Sequence, residues 1–174
     1  MRGYRKRPGT QGFSVPLVGA SLFFIISLFL FASYKNSAYQ QAKKEIYSLY
    51  TANRALDLDE VYQDGLTAIY AKEYGKTATE AGCEALEQTG LPYVLLLSQF
   101  SAPVERVYVT SCQLSETGRE KKARTYDYTV SVRFCLEKGD EVLAPEKTMD
   151  FHGTVVMKKK GWFRWLLDGV TLGE

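Results

Sequence analysis

The chain has 174 residues, the length of one ordinary domain with a short additional segment, which excludes two enzyme-sized domains. It carries 22 basic and 20 acidic residues. Four of the basic residues lie near the amino terminus: Arg2, Arg5, Lys6 and Arg7. Removing these four leaves 18 basic residues against 20 acidic ones, so the rest of the chain is slightly acidic. Because nucleic-acid-binding domains carry a clustered basic surface, this balance predicts no nucleic-acid partner.

The basic segment, residues 1–12, is followed by an apolar run over residues 13–34 that contains no charged side chain. These 22 residues are enough for a helix to cross a hydrocarbon core, which needs about 20. Because positively charged flanks remain in the cytoplasm, we expect a single-pass cell-membrane protein with its carboxyl-terminal domain on the extracytoplasmic side. The predicted anchor residues are Phe13, Leu17, Phe23, Ile26 and Leu30, and the four basic residues set the topology.

A cleavable signal peptide is the alternative interpretation of this segment. Its apolar core normally has about 7 to 15 residues and ends at a pair of small residues. Here the apolar run is longer, and the stretch Phe31–Ala38 contains no well-placed pair of small residues. The pattern therefore favours an anchor that is retained.

Residues 35–57 predict an amphipathic juxtamembrane helix, with Ser37 as its possible amino-terminal cap. Its apolar face repeats at spacings of three and four and includes Tyr39, Ile46, Leu49 and Asn53. This spacing is typical of a coiled-coil seam, in which Asn53 would set the register. Burial against the chain's own domain is the other interpretation. We therefore treat these four residues as a possible interface.

Two further helices are predicted at the start of the domain that spans residues 58–174. One runs from about Leu58 to Tyr74 and ends at Gly75, and the other runs from about Thr77 to Thr89 and ends at Gly90. The run YVLLLSQF that follows is compatible with a helix or a buried strand, because periodicity does not separate the two.

From Val104 onward the apolar period changes to two, which predicts four strands joined by hairpins. The clearest strand has one apolar face: Tyr126, Tyr128, Val130, Val132, Phe134 and Leu136. The stretch SETGREKKAR is predicted as the loop before it, and Gly153 as a bend within the next strand. The expected fold is α+β, with helices packed on one face of a curved four-stranded antiparallel sheet. In the last hairpin, Trp162 and Trp165 are possible interface residues.

Three features of the chain together resemble the nuclear transport factor 2-like superfamily. They are the anchor, the helical stretch SLYTANRALDLDEVY and the closing hairpin GTVVMKKKGWFRWLLDGVTL. Gly153, Gly161 and Trp162 occupy the places of glycine and Gly-Trp in the last hairpin of that superfamily. The resemblance implies a cone-like fold over roughly Ser37–Leu172. Anchored members are similar to scaffold components of conjugative type IV secretion machines and to small surface proteins of Gram-positive bacteria. It therefore implies an interaction or scaffold module with protein partners or a homo-oligomeric state.

The opening stretch is also similar to type IV minor prepilins. A basic leader ends in glycine and is followed by phenylalanine and a long apolar helix, so Gly12–Phe13 would be the cleaved bond. Pilins place a glutamate at the fifth mature position, where this chain has Leu17. The alternative function is therefore a pilin-like structural subunit.

No pattern in the chain names a reaction. The sequence contains no glycine-rich phosphate loop, no nucleophile elbow and no paired-histidine zinc motif. His152, Asp127 and Asp150 all fall on the polar side of their predicted strands, which favours solvated side chains. We therefore predict no catalytic, metal or cofactor site, with an anchored small-ligand binder or isomerase-like enzyme as the third alternative.

The three cysteines lie far apart, at positions 83, 112 and 135. On the extracytoplasmic side, the ordinary expectation is one disulfide and one free thiol. The hairpin register argues against pairing Cys112 with Cys135, and the alternative interpretation is that two of the three cysteines are small core residues.

Overall fold

The computed structural model describes residues 15–35, 37–51, 58–97, 103–136, 146–161 and 164–173. The chain divides into two compact units, Met1–Tyr34 and Lys35–Glu174. The described elements are α1 (Val15–Lys35), α2 (Ala38–Tyr50), α3 (Leu58–Asp64), α4 (Leu66–Tyr74), α5 (Glu80–Thr89), a 3-10 helix (Tyr93–Leu97), β1 (Val104–Arg119), β2 (Ala123–Leu136), β3 (Glu146–Lys160) and β4 (Arg164–Leu172). The predicted α+β class is confirmed.

Several predicted residues lie outside the described part of the chain: Arg2, Arg5, Lys6, Arg7, Phe13, Asn53 and Trp162, together with the Gly12–Phe13 bond. The predictions that depend on them stay predictions.

The first unit contributes α1, whose described side chains are almost all exposed apolar groups. Phe23 is 75% exposed and Leu30 is 61% exposed, and Ile26 is also exposed. The backbone of Leu17 belongs to the same helix. Within the described residues, no single helix has the length and apolarity required to cross a bilayer, and Ala20–Tyr34 and Ala38–Tyr50 meet that requirement only as a pair.

Helix α2 belongs to the second unit and lies on its sheet, where it contacts all four strands. The Ser37 hydroxyl accepts a hydrogen bond from the backbone N–H of Gln40 at 3.3 Å, so the predicted cap is confirmed. Ile46 and Leu49 are fully buried in the core of the domain. Burial against the chain's own sheet is thus the arrangement observed for this apolar face.

The second predicted helix, Leu58–Tyr74, is wrong as a single element. Gly65 has a φ of 80° and separates α3 from α4, because a left-handed residue breaks the helical path. The third predicted helix starts later than expected, at Glu80. The residues before it pair with β4 instead, since the Thr79 N–H donates to the Leu167 carbonyl at 2.8 Å. Gly90, with a φ of 70°, ends α5 as predicted.

The four strands form one antiparallel meander in the order β1-β2-β3-β4. The predicted apolar face of β2 is confirmed, because all six of its residues are buried. The predicted loop SETGREKKAR is too long: residues 115–119 continue β1, and only residues 120–122 form the turn. The strands of this hairpin are therefore longer than their sequence pattern indicated.

The register shifts of the sheet lie at positions other than Gly153. Three of them interrupt the pairing of β1 with β2, and one lies between β3 and β4 at Val156/Met157. Bulges of this kind bend a strand and increase its twist. Gly153 keeps regular pairing on both sides, so no bulge lies there, and a kink at this residue stays a prediction.

Gly153 is instead required by close packing. A Cβ at this position would overlap the Thr171 carbonyl oxygen and the Tyr128 hydroxyl. That hydroxyl donates to the Thr171 carbonyl at 3.0 Å and lies 2.9 Å from the Tyr50 hydroxyl. Both tyrosine side chains are buried, so this chain of hydrogen bonds satisfies polar groups inside the core and links α2, β2 and β4.

Replacing Gly153 tests this packing. We expect Gly153→Ala to lower the free energy of unfolding by about 2 to 3 kcal/mol, because the new methyl group displaces the Tyr128 hydroxyl or the end of β4. The matched control is Gly169→Ala in β4, whose Cβ would meet Val156 at 3.7 Å, an ordinary contact. Its stability should change by no more than about 0.5 kcal/mol. Chemical denaturation of both variants measures the difference, and equal stabilities would contradict the assignment.

Candidate interaction surface

The turns β1-β2 and β3-β4 lie at the same end of the sheet and are strongly basic. Alternate turns of an antiparallel meander meet at one end, and here the Lys159 N–H donates to the Lys122 carbonyl at 2.7 Å. Residues 119–124 and 158–164 contain eight cations and one carboxylate, Glu120. The cations are Arg119, Lys121, Lys122, Arg124, Lys158, Lys159, Lys160 and Arg164. We call this region the basic end.

Flanking carboxylates neutralise only part of this charge. Glu116 accepts from Arg119 at 2.6 Å and lies 3.9 Å from Arg124, and these cations hold the pKa of its carboxyl below the usual range. Asp168 lies 3.4 Å from Lys158. The Arg119 and Lys158 side chains are largely exposed, so water screens their two pairs and each contributes little stability. The basic end therefore keeps a net positive charge toward solvent.

Trp165 lies half-buried within this region. The Arg124 guanidinium lies 5.6 Å from its ring centroid and the Lys159 ammonium lies 5.9 Å from it. Both distances fall within the range of cation–π attraction. The neighbouring Arg164 side chain donates to the Lys76 carbonyl. The indole thus orders two cations at the surface of the domain.

A surface cleft of about 200 Å³ adjoins Trp165 and is bordered by α2. Its lining residues are Gln41, Lys44, Glu45, Lys76, Thr77, Arg164, Trp165 and Leu166. Glu45 is 7% exposed, and desolvation raises the pKa of its carboxyl, while Lys44 and a hydrogen bond with Thr77 act in the opposite direction. The cleft combines three cations with one carboxyl group whose charged form is disfavoured by burial.

The first turn of α2 reaches the basic end. The Tyr39 ring packs edge-on against Tyr126, the fourth residue of β2, with their centroids 6.0 Å apart. The last residue of α2 packs further along the strands, where Tyr50 meets Tyr128. The helix therefore starts at the basic end and runs toward the opposite end of the sheet.

The structure brings together only some of the residues predicted as an interface. Tyr39 is 37% exposed and Trp165 is half-buried, and both lie near the basic end. Ile46 and Leu49 lie inside the core, so they form no free surface on this domain.

The residues considered for catalysis lie on the outer surface. His152, Asp127 and Asp150 are exposed. The Asp127 carboxylate accepts from Thr154 at 3.0 Å, and His152 Nδ1 lies 3.1 Å from the Thr129 hydroxyl. Over the described ranges, no group of three His, Cys, Asp or Glu side chains is arranged to hold a metal ion.

The expected disulfide is wrong, since Cys83, Cys112 and Cys135 are all free and buried. Cys112 pairs with Val130, whereas Cys135 pairs with Arg106, so the two residues lie about 17 Å apart along the hairpin. Burial raises the pKa of the Cys83 and Cys112 thiols, which makes both poor nucleophiles at neutral pH.

Sequence reasoning missed the basic end because it treated the two turns as separate loops and averaged the charge over the whole body. The signal that identifies it is the strand pattern itself. Four hairpin-linked antiparallel strands place the first and third turns at one end, and lysines lie in the first turn and at the end of β3 just before the third. A clustered basic surface thus exists within a chain that is nearly neutral overall.

Neither protein-family models nor curated proteins give a match to this chain.

The pH dependence of stability tests the burial of Glu45. The pKa of Glu45 is higher in the folded state than its ordinary value of 4.5. The stability that this carboxyl contributes is therefore fully present below pH 4.5 and is lost as the pH rises through the folded-state pKa. We expect Glu45→Gln to raise the melting temperature at neutral pH and to leave it unchanged near about pH 4. Glu84→Gln on the exposed side of α5 is the control, with no effect at either pH. A Glu45→Gln variant that is less stable than the wild type at neutral pH would show that the charged form is favoured.

Proposed function

We propose that the chain is a single-pass membrane-anchored interaction or scaffold module, with residues 1–12 in the cytoplasm and the α+β domain on the extracytoplasmic side. It would act within an envelope assembly of the secretion or conjugation kind, through protein partners or further copies of itself. The observation that carries this proposal is the apolar surface of α1, a helix in a different unit from the α+β domain.

The side chains of α1 support an anchor because they are apolar on every side. Leu22, Phe23, Phe24, Ile25 and Ile26 are consecutive residues and all are exposed, so together they cover more than a full turn of the helix. A helix that is hydrophobic all round belongs in a protein core or a membrane. The backbone of a helix also satisfies its own hydrogen bonds, as a bilayer requires.

The order and packing of the elements support the nuclear transport factor 2-like resemblance. Helices precede a four-stranded meander, and α2 lies against all four strands. The register shifts in β1 and β4 give the sheet the bends that a cone-like wall needs. We therefore propose that α2 occupies the interior of a cone-like sheet.

The two other functions receive less support. A ligand-binding cone needs a deep pocket with inward polar groups. The described core is instead filled by side chains such as Tyr50, Tyr128 and Phe134, and the described clefts are open to solvent. The pilin-like alternative depends on cleavage at Gly12–Phe13 and stays a prediction.

The topology is tested by fusing alkaline phosphatase, which is active only outside the cytoplasm, to the carboxyl terminus of the full chain. We expect high activity for the wild type and a several-fold loss when the four basic residues of the leader are replaced by glutamate, because short flanking segments set orientation. The control replaces Lys158, Lys159, Lys160 and Arg164 by glutamate. These positions lie beyond the roughly 20 flanking residues that set topology, so export should persist.

Two results would contradict the anchored module. Release of the wild-type chain from membranes by alkaline carbonate would exclude a retained span. A mature amino terminus at Phe13, read by mass spectrometry, would support the pilin-like subunit instead.

The scaffold role predicts a defined complex. Crosslinking of intact membranes followed by native mass analysis should give one discrete species larger than the 19.6 kDa chain. A monomer at native expression level would contradict it. An exposed-site substitution on the outer face of the sheet, Thr129→Arg, should reduce the complex, whereas Tyr62→Arg on α3 serves as the matched exposed control.

A further inference from the structure

We propose that the basic end of the sheet rests on the anionic phospholipid headgroups of the membrane that holds α1. The domain would then stand with this end against the bilayer, while the outer face of the sheet and its far end remain accessible to partners. This inference rests on the proposed anchor and adds the orientation of the domain and the chemistry of the surface it contacts.

Charge asymmetry along the sheet is the first observation. Residues 119–124 and 158–164 carry eight cations and one carboxylate, and counting the flanking Glu116 and Asp168 as well still leaves eight cations against three carboxylates. The described residues at the opposite end are balanced, with three cations and three carboxylates. These are Arg106, Arg133, Lys147, Glu105, Glu146 and Asp150. Among the residues that the structure describes, the basic end therefore presents the stronger attraction to an anionic surface.

Four of the eight cations, all of them lysines, are free to contact headgroups. Among the residues that the structure describes, Lys121, Lys122 and Lys160 have no ion-pair partner, and all three side chains are exposed. Lys159 is exposed as well and lies 5.9 Å from the Trp165 ring centroid, whereas the half-buried Arg124 guanidinium donates to the Glu120 and Ala123 carbonyls. Ammonium and guanidinium groups in this arrangement match the phosphodiester oxygens of lipid headgroups.

The route of the chain is the second, independent observation. Helix α2 starts at the basic end, where Tyr39 packs on Tyr126. In the sequence, only residues 35–37 lie between the apolar run 13–34 and the first residue of α2. An anchor in α1 therefore delivers the domain to the bilayer at its basic end. Lys44 on α2 lines the cleft beside Arg164 and Trp165 and adds one more cation there.

The same observations favour a lipid surface over a nucleic acid. Proteins that bind single strands offer exposed aromatic faces on which bases stack. Here the Trp165 ring is approached by Arg124 and Lys159, so cations occupy the position that a base would take. Trp165 instead has the amphipathic character of aromatic residues found at membrane interfaces.

The test uses the full chain in nanodiscs made either of phosphatidylcholine alone or of equal parts phosphatidylcholine and phosphatidylglycerol, each with nitroxide-labelled headgroups. The two tryptophans of the chain, Trp162 and Trp165, both belong to the β3-β4 hairpin sequence, so native fluorescence reports on this end. We expect quenching in the anionic discs, little in the neutral ones, and loss of quenching as salt is added.

Charge reversal supplies the matched comparison. Lys121→Glu with Lys160→Glu should reduce the ratio of quenched to unquenched chains by on the order of tenfold or more. Arg106→Glu with Lys147→Glu makes the same charge change at the balanced end and should leave quenching as in the wild type. Equal quenching in both lipids, or equal effects of the two double variants, would overturn the proposal.

Two further outcomes separate this inference from the anchor itself. A chain that washes out of the nanodiscs at alkaline pH would overturn the anchored module. A chain that stays in the discs with unquenched tryptophans would overturn only the orientation proposed here. A fluorescence change produced by a DNA duplex at physiological salt, without a response to anionic lipid, would likewise overturn the lipid contact in favour of a nucleic acid.

Discussion

The apolar face of β2 must be shielded from water, and α2 shields it. The arrangement of the other elements of the domain depends on this contact. Six side chains from Tyr126 to Leu136 point to one side of this central strand and are buried. Their burial removes a large apolar area from water, and each Å² of buried apolar surface stabilises the folded state by about 25 cal/mol. The cost is that Tyr50 and Tyr128 carry hydroxyls into the core. These hydroxyls bond to each other and to the Thr171 carbonyl, so the core keeps its polar groups satisfied.

The same packing determines where charge accumulates. Because α2 runs along the sheet, the chain enters the domain next to Tyr126, and the first and third turns of the meander lie at that end. Neither turn is unusual alone, since lysines are common in exposed hairpins. Their meeting at one end, with Trp165 ordering Arg124 and Lys159, makes a local positive surface from a body that is slightly acidic in total.

Much of the fold was predictable from short-range pattern. The alternation in β2 identifies its buried face, and Ser37 and Gly90 cap helices as their chemistry requires. The errors occurred where tertiary contacts outweighed local preference. Residues 77–79 pair with β4 and delay α5, and polar residues 115–119 extend β1 because β2 supplies their hydrogen bonds. Gly153 was recognised as special, but its reason is the space taken by the Tyr128 hydroxyl.

The sequence by itself determined the α+β class, the strand order of a simple meander and a long apolar helix preceded by four cations, because these depend on periodicity and composition. Only the tertiary structure decided which of the predicted interface residues are buried, that all three cysteines are free, and that two distant basic turns form one surface. These features depend on contacts between residues far apart in the chain. Their geometry is set by strand register and helix packing, which a local pattern does not contain.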